Sequence, residues 1–142
     1  MTLSVSLLAF ALACASARQG ASGARRFDVT LPPDIAARET HLVLRNVEVP
    51  RNRAVVLRAY AVAAGDTQPV YLGSAGIPGV SPTASGKTAL GVVTVIVTRG
   101  IRQWVSAHPG AKTISIEIRP TTGRDTTRVD WSALRVELVH PD

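Results

Sequence analysis

The chain of 142 residues has the size of one domain, and its core must be aliphatic because only 4% of its residues are aromatic. A hydrophobic content of 46% excludes a wholly disordered chain. The formal net charge of +6 is carried mainly by arginines that are scattered along the sequence. This distribution indicates a solvated basic surface and argues against nucleic-acid binding, which favours clustered charge with interleaved aromatic rings.

The first residues have the pattern of an export signal. Residues 3–13 form an apolar run too short to span a bilayer, and Ala15-Ser16-Ala17 has the small-x-small form of a signal-peptidase site. We predict a signal peptide over 1–17, a flexible linker over 18–25, and a secreted or periplasmic domain over 26–142 without a membrane span. Cleavage would remove Cys14, and lipoprotein anchoring at Cys14 is the alternative.

Downstream of the linker, period-two alternation of apolar and polar residues predicts strands. The predicted strands cover residues 26–31, 41–49, 54–62, 70–74, 88–98, 113–119 and 129–139. The inward parity changes near Arg45-Asn46 and again near Ser132-Ala133, which predicts a bulge in the second and in the last strand. The stretch 75–86 is rich in Gly, Pro and Ser and is predicted as a loop.

One segment has the period of a helix. The residues on its apolar face are Ile101, Trp104, Val105 and His108, and Pro109-Gly110 ends it. We expect Trp104 and Trp131 to be buried in the core. About seven strands with one short helix predict an all-β fold, an antiparallel β-sandwich, because the strand–helix alternation of a parallel sheet is absent.

The sequence motifs that would carry catalysis are incomplete. Ser85-Gly86-Lys87-Thr88 looks like the end of a phosphate-binding loop, but the motif needs Gly at position 81, which is Ser, and a helix after Thr88. His41, His108 and His140 do not have the spacing of a local metal site. The sequence shows neither a nucleophile motif nor a carboxylate pair set apart for acid–base chemistry. We therefore predict a protein that is not an enzyme and holds no metal or cofactor.

A series of short motifs follows in a set order over residues 26–139. Arg26-Phe27-Asp28-Val29 is close to a Lys-Phe-Asp-Val signature, and 70–78 has an aromatic-x-Gly-Ser segment that runs to a proline. A Thr-x-Leu stretch lies at 87–90, a strand ending in proline at 114–120, and a closing strand at 129–139. In this order the chain resembles the C-terminal domain of plant polyphenol oxidases and related tyrosinases. The resemblance implies a C2-like or jelly-roll-like sandwich that shields a dicopper active site until activation.

The family's copper-binding histidines have no counterpart here, so the resemblance implies action in trans. We expect a non-catalytic exported accessory domain that shields or helps to mature an exported dicopper oxidase. The expected contacts are Tyr71 and Ile77, as an aromatic and an exposed aliphatic anchor in the segment 71–86. The alternatives are an exported ligand- or carbohydrate-binding β-sandwich and a structural envelope protein.

Overall fold

A computed structural model of the chain describes residues 23–64, 68–121, 129 and 131–142. Within these residues seven strands and one helix follow one another. They are β1 (Arg25–Thr30), β2 (His41–Pro50), β3 (Val55–Val62), β4 (Val70–Ile77), β5 (Lys87–Ile96), α1 (Thr98–Ala107), β6 (Thr113–Thr121) and β7 (Arg135–Val139). The predicted all-β antiparallel sandwich with one short helix is confirmed. The predicted signal peptide and Cys14 lie outside the described residues.

The strands form two antiparallel sheets. The four-stranded sheet has the order β1-β6-β3-β4, and the three-stranded sheet has the order β5-β2-β7. Alternate residues of the strands point into the space between the sheets, as Ile114, Ile116 and Ile118 do in β6. Each fully buried aliphatic side chain contributes roughly 1.5–3 kcal/mol. Valine, leucine and isoleucine supply most of the buried side chains of the core, as the low aromatic content predicts.

The change of parity predicted in β2 is present at Asn46. The buried leucines before Asn46 and the buried valines after it lie on opposite parities, and Asn46 has a left-handed φ of 60°. The pairing with β5 nevertheless keeps one register, because Arg45 pairs with Val92 and Val47 pairs with Leu90. The bulge predicted in β2 is therefore wrong, because a bulge would shift the register between the two strands, and here both strands change their inward parity at the same point.

The last strand is shorter than predicted. β7 begins at Arg135, and the backbone N–H of Leu134 donates to the carbonyl of Trp131 over 3.1 Å to close a turn. The expected bulge near Ser132-Ala133 is therefore wrong, since a turn produces the same change of parity. Trp131 is buried as predicted, and its indole N–H donates to the carbonyl of Gly23 over 2.8 Å.

The chain enters the fold slightly before residue 26. Ala24 is buried, β1 begins at Arg25, and the Arg25 Nη1 donates to the carbonyl of Trp131 over 2.7 Å. At the same end of this sheet, β6 continues through Pro120 to Thr121 instead of ending at 119. Proline is tolerated there because β1 pairs with β6 only as far as Ile118.

The helix lies where the sequence predicted it. Ile101 and Trp104 are buried, and the His108 ring stacks on Trp104 with 4.2 Å between centroids. Gly100 lets the first turn of α1 approach β4, because a Cβ at that position would lie 2.7 Å from the Cα of Leu72. Within the described residues, no helix combines the length and the apolar character needed to cross a membrane.

Candidate functional site

The two predicted contact residues, Tyr71 and Ile77, are placed very differently. Tyr71 is 52% exposed on the outer side of β4, whereas Ile77 is 8% exposed and belongs to the core. The expectation of an exposed Ile77 in the predicted loop 75–86 is wrong, because β4 continues to Ile77 and pairs with β3 along its length. Only Tyr71 remains available for a surface contact.

Gly73, which lies in the predicted strand 70–74, serves the packing of β4 against the other sheet. A Cβ at Gly73 would lie 2.5 Å from the carbonyl oxygen of Ile96 at the end of β5. Gly73 therefore allows the edges of the two sheets to approach each other. Composition alone does not separate this use of glycine from its use in a turn.

A bulge in β4 determines where Tyr71 points. Tyr71 pairs with Tyr60 of β3, and the register then shifts so that Leu72 is the extra residue. Both Leu72 and the following glycine face inward, while Tyr71 and Ser74 face outward. The Tyr71 hydroxyl donates to the Ser74 Oγ over 3.0 Å, which fixes the ring on the outer surface. Bulges commonly redirect a side chain in this way.

Tyr71 belongs to a group of charged and aromatic side chains on the outer face of the four-stranded sheet, which we call the arginine–tyrosine patch. The register places these side chains in two neighbouring rows across β1, β6, β3 and β4. The patch consists of Arg26, Arg58, Tyr60, Tyr71, Glu117 and Arg119. Their strands are hydrogen-bonded neighbours, so the patch has a rigid base.

Glu117 organises the patch. It is only 5% exposed although it lies on an outer face, because two arginines cover it. The Arg26 Nε donates to its Oε2 over 2.7 Å, and the Arg119 Nε donates to its Oε1 over 2.5 Å. Burial raises the pKa of Glu117, but the hydrogen bonds and charges of the two arginines outweigh burial and hold the pKa below its ordinary value.

The two tyrosines are ordered by their neighbours. The Arg119 guanidinium lies over the Tyr60 ring, with 4.4 Å from Cζ to the ring centroid, which is a cation–π contact. Tyr60 and Tyr71 meet edge to face, with 5.7 Å between centroids and an interplanar angle of 63°. Tyr60 is thus covered on one side, and Tyr71 presents the exposed ring of the patch.

Arg58 is the cation of the patch that is not neutralised. It pairs in register with Arg119 on one side and with Ser74 on the other. It is exposed and makes no hydrogen bond or ion pair within the described part of the chain. Like charges at directly opposite strand positions destabilise a sheet, so this position favours an external anion.

The patch has few carboxylate or imidazole groups. Its one carboxylate, Glu117, is held by two guanidinium groups, and it contains no histidine. The histidines lie elsewhere: His41 contacts the Glu39 carboxylate over 2.7 Å, His108 stacks on Trp104, and both ring nitrogens of His140 contact backbone carbonyl oxygens. Among the described residues, no three potential metal ligands come together.

The sequence offered a partial signal for this patch. The polar parity of β3 carries Arg58 and Tyr60, and that of β6 carries Glu117 and Arg119. What the sequence does not show is that β3 and β6 are neighbours and in which register they pair. No protein-family model matches the chain, and no curated protein matches it.

Proposed function

We propose that this chain is a non-catalytic accessory domain that binds a partner protein through the arginine–tyrosine patch. The observation that carries the proposal is Tyr71, an exposed ring fixed beside three arginines on the outer sheet face by a bulge and a hydrogen bond. Tyrosine and arginine are the residue types that dominate protein interfaces energetically. In this proposal Tyr71 is a contact residue, as the sequence predicted, but the other contact residues lie on the four-stranded sheet and not in the loop that follows β4.

The order of the side chains supports a binding role. The two salt bridges of Glu117 and the stacking of Arg119 on Tyr60 restrict the side chains of the patch before a partner binds. The restricted side chains include those of Arg26, Arg119 and Tyr60. Restricting them beforehand lowers the entropy lost on association, which is about 0.5–1.5 kcal/mol for each immobilised side chain. A preordered patch therefore binds better than the same residues on a mobile loop.

The proposed partner is an exported dicopper oxidase, which is the class of partner that the resemblance to the tyrosinase C-terminal domain implies. The architecture of two antiparallel sheets agrees with the sandwich that the resemblance implies. In this proposal the domain is exported, covers the site of the oxidase or helps to load it with copper, and uses its sheet face for the contact. Ile77 has no part in the contact, because it lies in the core.

The test is co-expression of the chain with an exported dicopper oxidase of the same organism, followed by measurement of complex formation, copper content and diphenolase activity. We expect Tyr71→Ala to weaken the complex by about tenfold or more, as the loss of an aromatic anchor does. Val92→Ala is the matched control, since Val92 is 53% exposed on the other sheet. A complex that forms equally well with Tyr71→Ala contradicts the proposal.

Carbohydrate binding is the second candidate function, and the exposed ring of Tyr71 favours it, because sugars stack on such rings. A glycan array separates the two functions. Retention of a glycan that depends on Tyr71, without any protein complex, would favour the carbohydrate function. If the chain binds neither a glycan nor a protein partner, the remaining alternative is a structural role.

A further inference from the structure

We infer that the arginine–tyrosine patch binds a carboxylate-bearing side chain of its partner, with Arg58 as the principal contact. This inference rests on the proposed function, because a partner that binds another surface would leave Arg58 unused. It adds the chemistry that the patch recognises and the residue that recognises it.

The distribution of charge in the patch is uneven. Arg26 and Arg119 each donate from Nε to the same carboxylate, that of Glu117. Arg58 faces Arg119 across the β3–β6 pairing and has no partner of its own within the described residues. The patch therefore has three guanidinium groups for one carboxylate, and the position between Arg58 and Arg119 is where a second carboxylate would neutralise most charge.

The other sheet provides a comparison within the same molecule. Arg45 and Arg135 also face each other there, in the β2–β7 pairing. Glu137, two residues along β7, lies 3.0 Å from Arg45 and neutralises it. Arg135 makes no ion pair within the described residues, just as Arg58 makes none in the patch. What distinguishes Arg58 is its register position opposite Ser74, whose Oγ accepts from the exposed Tyr71.

Several features favour a single carboxylate on a protein over a polyanion or a chain of sugars. A carboxylate accepts two parallel N–H bonds from one guanidinium, which suits an arginine with free terminal nitrogens. A polyanion such as nucleic acid is held by a track of repeated charges, whereas these arginines lie within two neighbouring rows. Arg119 covers the Tyr60 ring, so Tyr71 is the ring of the patch that is free to make a contact. One free ring suits contact with one partner side chain next to the bound carboxylate, whereas a chain of sugars would need several.

The experiment is a ¹H–¹⁵N NMR titration of the protein at low salt with an acetylated, amidated tetraglutamate peptide. We expect shifts in β3, β4 and β6 around Arg58 and Tyr71, and no comparable shifts with the tetraglutamine peptide. Arg58→Gln should weaken the binding by about fivefold or more, as loss of a hot-spot arginine does. Arg58→Lys keeps the charge but loses the two-pronged geometry, and should recover only part of the affinity.

Arg135→Gln is the matched control, because it removes from the other sheet an exposed arginine that has no ion pair within the described residues, and it should leave peptide binding unchanged. Equal binding by wild type and Arg58→Gln would overturn the inference, and so would shifts spread evenly over both sheets. Binding of oligogalacturonate at the same amides without binding of tetraglutamate would also overturn it, in favour of a sugar acid.

These outcomes are separable from the failure of the proposed function. If the peptide does not bind but Tyr71→Ala still breaks the complex with the oxidase, the carboxylate contact is wrong and the accessory role stands. If the peptide binds through Arg58 but the oxidase never associates, the carboxylate site stands and the accessory role is wrong.

Discussion

Replacing Glu117 with glutamine should destabilise the domain measurably although the residue lies on an outer face. The substitution removes a charge that accepts hydrogen bonds from two guanidinium groups and keeps only one acceptor oxygen. A hydrogen bond to a charged group contributes about 1.5–3 kcal/mol when buried. Arg26 and Arg119 are 51% and 41% exposed, so water and salt screen these contacts and the value must be reduced. We expect a loss of about 1–2 kcal/mol in the free energy of unfolding at pH 7.

The pH dependence of this loss identifies its cause. A carboxyl whose pKa is lower in the folded than in the unfolded state stabilises the fold at pH values above the unfolded pKa, for which 4.5 is the ordinary value. That stabilisation disappears as the pH falls through the lowered pKa. The stability difference between wild type and Glu117→Gln should therefore be full at neutral pH and shrink in acid, where Glu117 is protonated.

The assay is urea denaturation of both proteins over a pH series, with Glu137→Gln as the matched control. The Arg45–Glu137 pair has a similar distance of 3.0 Å, but both side chains are about half exposed. Such surface pairs contribute about 0–1 kcal/mol, so the control should change little. Equal losses for the two variants, or a loss for Glu117→Gln that does not depend on pH, would refute the argument that burial and shared hydrogen bonds make Glu117 special.

Four further substitutions test the packing. Gly100→Ala should cost about 1–3 kcal/mol in unfolding free energy, because the added Cβ would press on the backbone of Leu72. Gly76→Ala is the control in the same denaturation assay and should be nearly neutral, because the added Cβ would have open space around it. Trp104→Ala should cost about 3–5 kcal/mol because the indole is buried against the core. Trp131→Ala should cost a similar amount, and native fluorescence typical of solvent-exposed indoles would contradict the burial of both tryptophans.

The periodicity of apolar residues predicted the strands and the helix because each element has one buried side. The same reasoning failed between 129 and 134, since a turn and a bulge both shift the parity of buried residues by one. It failed again at Ile77, where Gly and Pro near the end of β4 suggested a loop. Gly73 is in the strand because two sheet edges approach there, which is a tertiary constraint that composition does not reveal.

The candidate site was predictable only in part. Tyr71 was expected as a surface contact from its position beside a glycine-rich segment. Its neighbours in the patch come from three other strands, and their proximity depends on the strand order and register of the sheet. The bulge at Leu72, which turns Tyr71 towards Tyr60, leaves no clear mark in the sequence.

The central claim is that the outer face of the four-stranded sheet is the surface that meets a partner. The most direct measurement is photocrosslinking with p-benzoylphenylalanine in place of Tyr71 in the patch or of Val92 on the other sheet, in cells that also produce an exported dicopper oxidase of the same organism. We predict a crosslink to the oxidase from position 71 and none from position 92. A crosslink from position 92 alone, or from neither position, would contradict the claim.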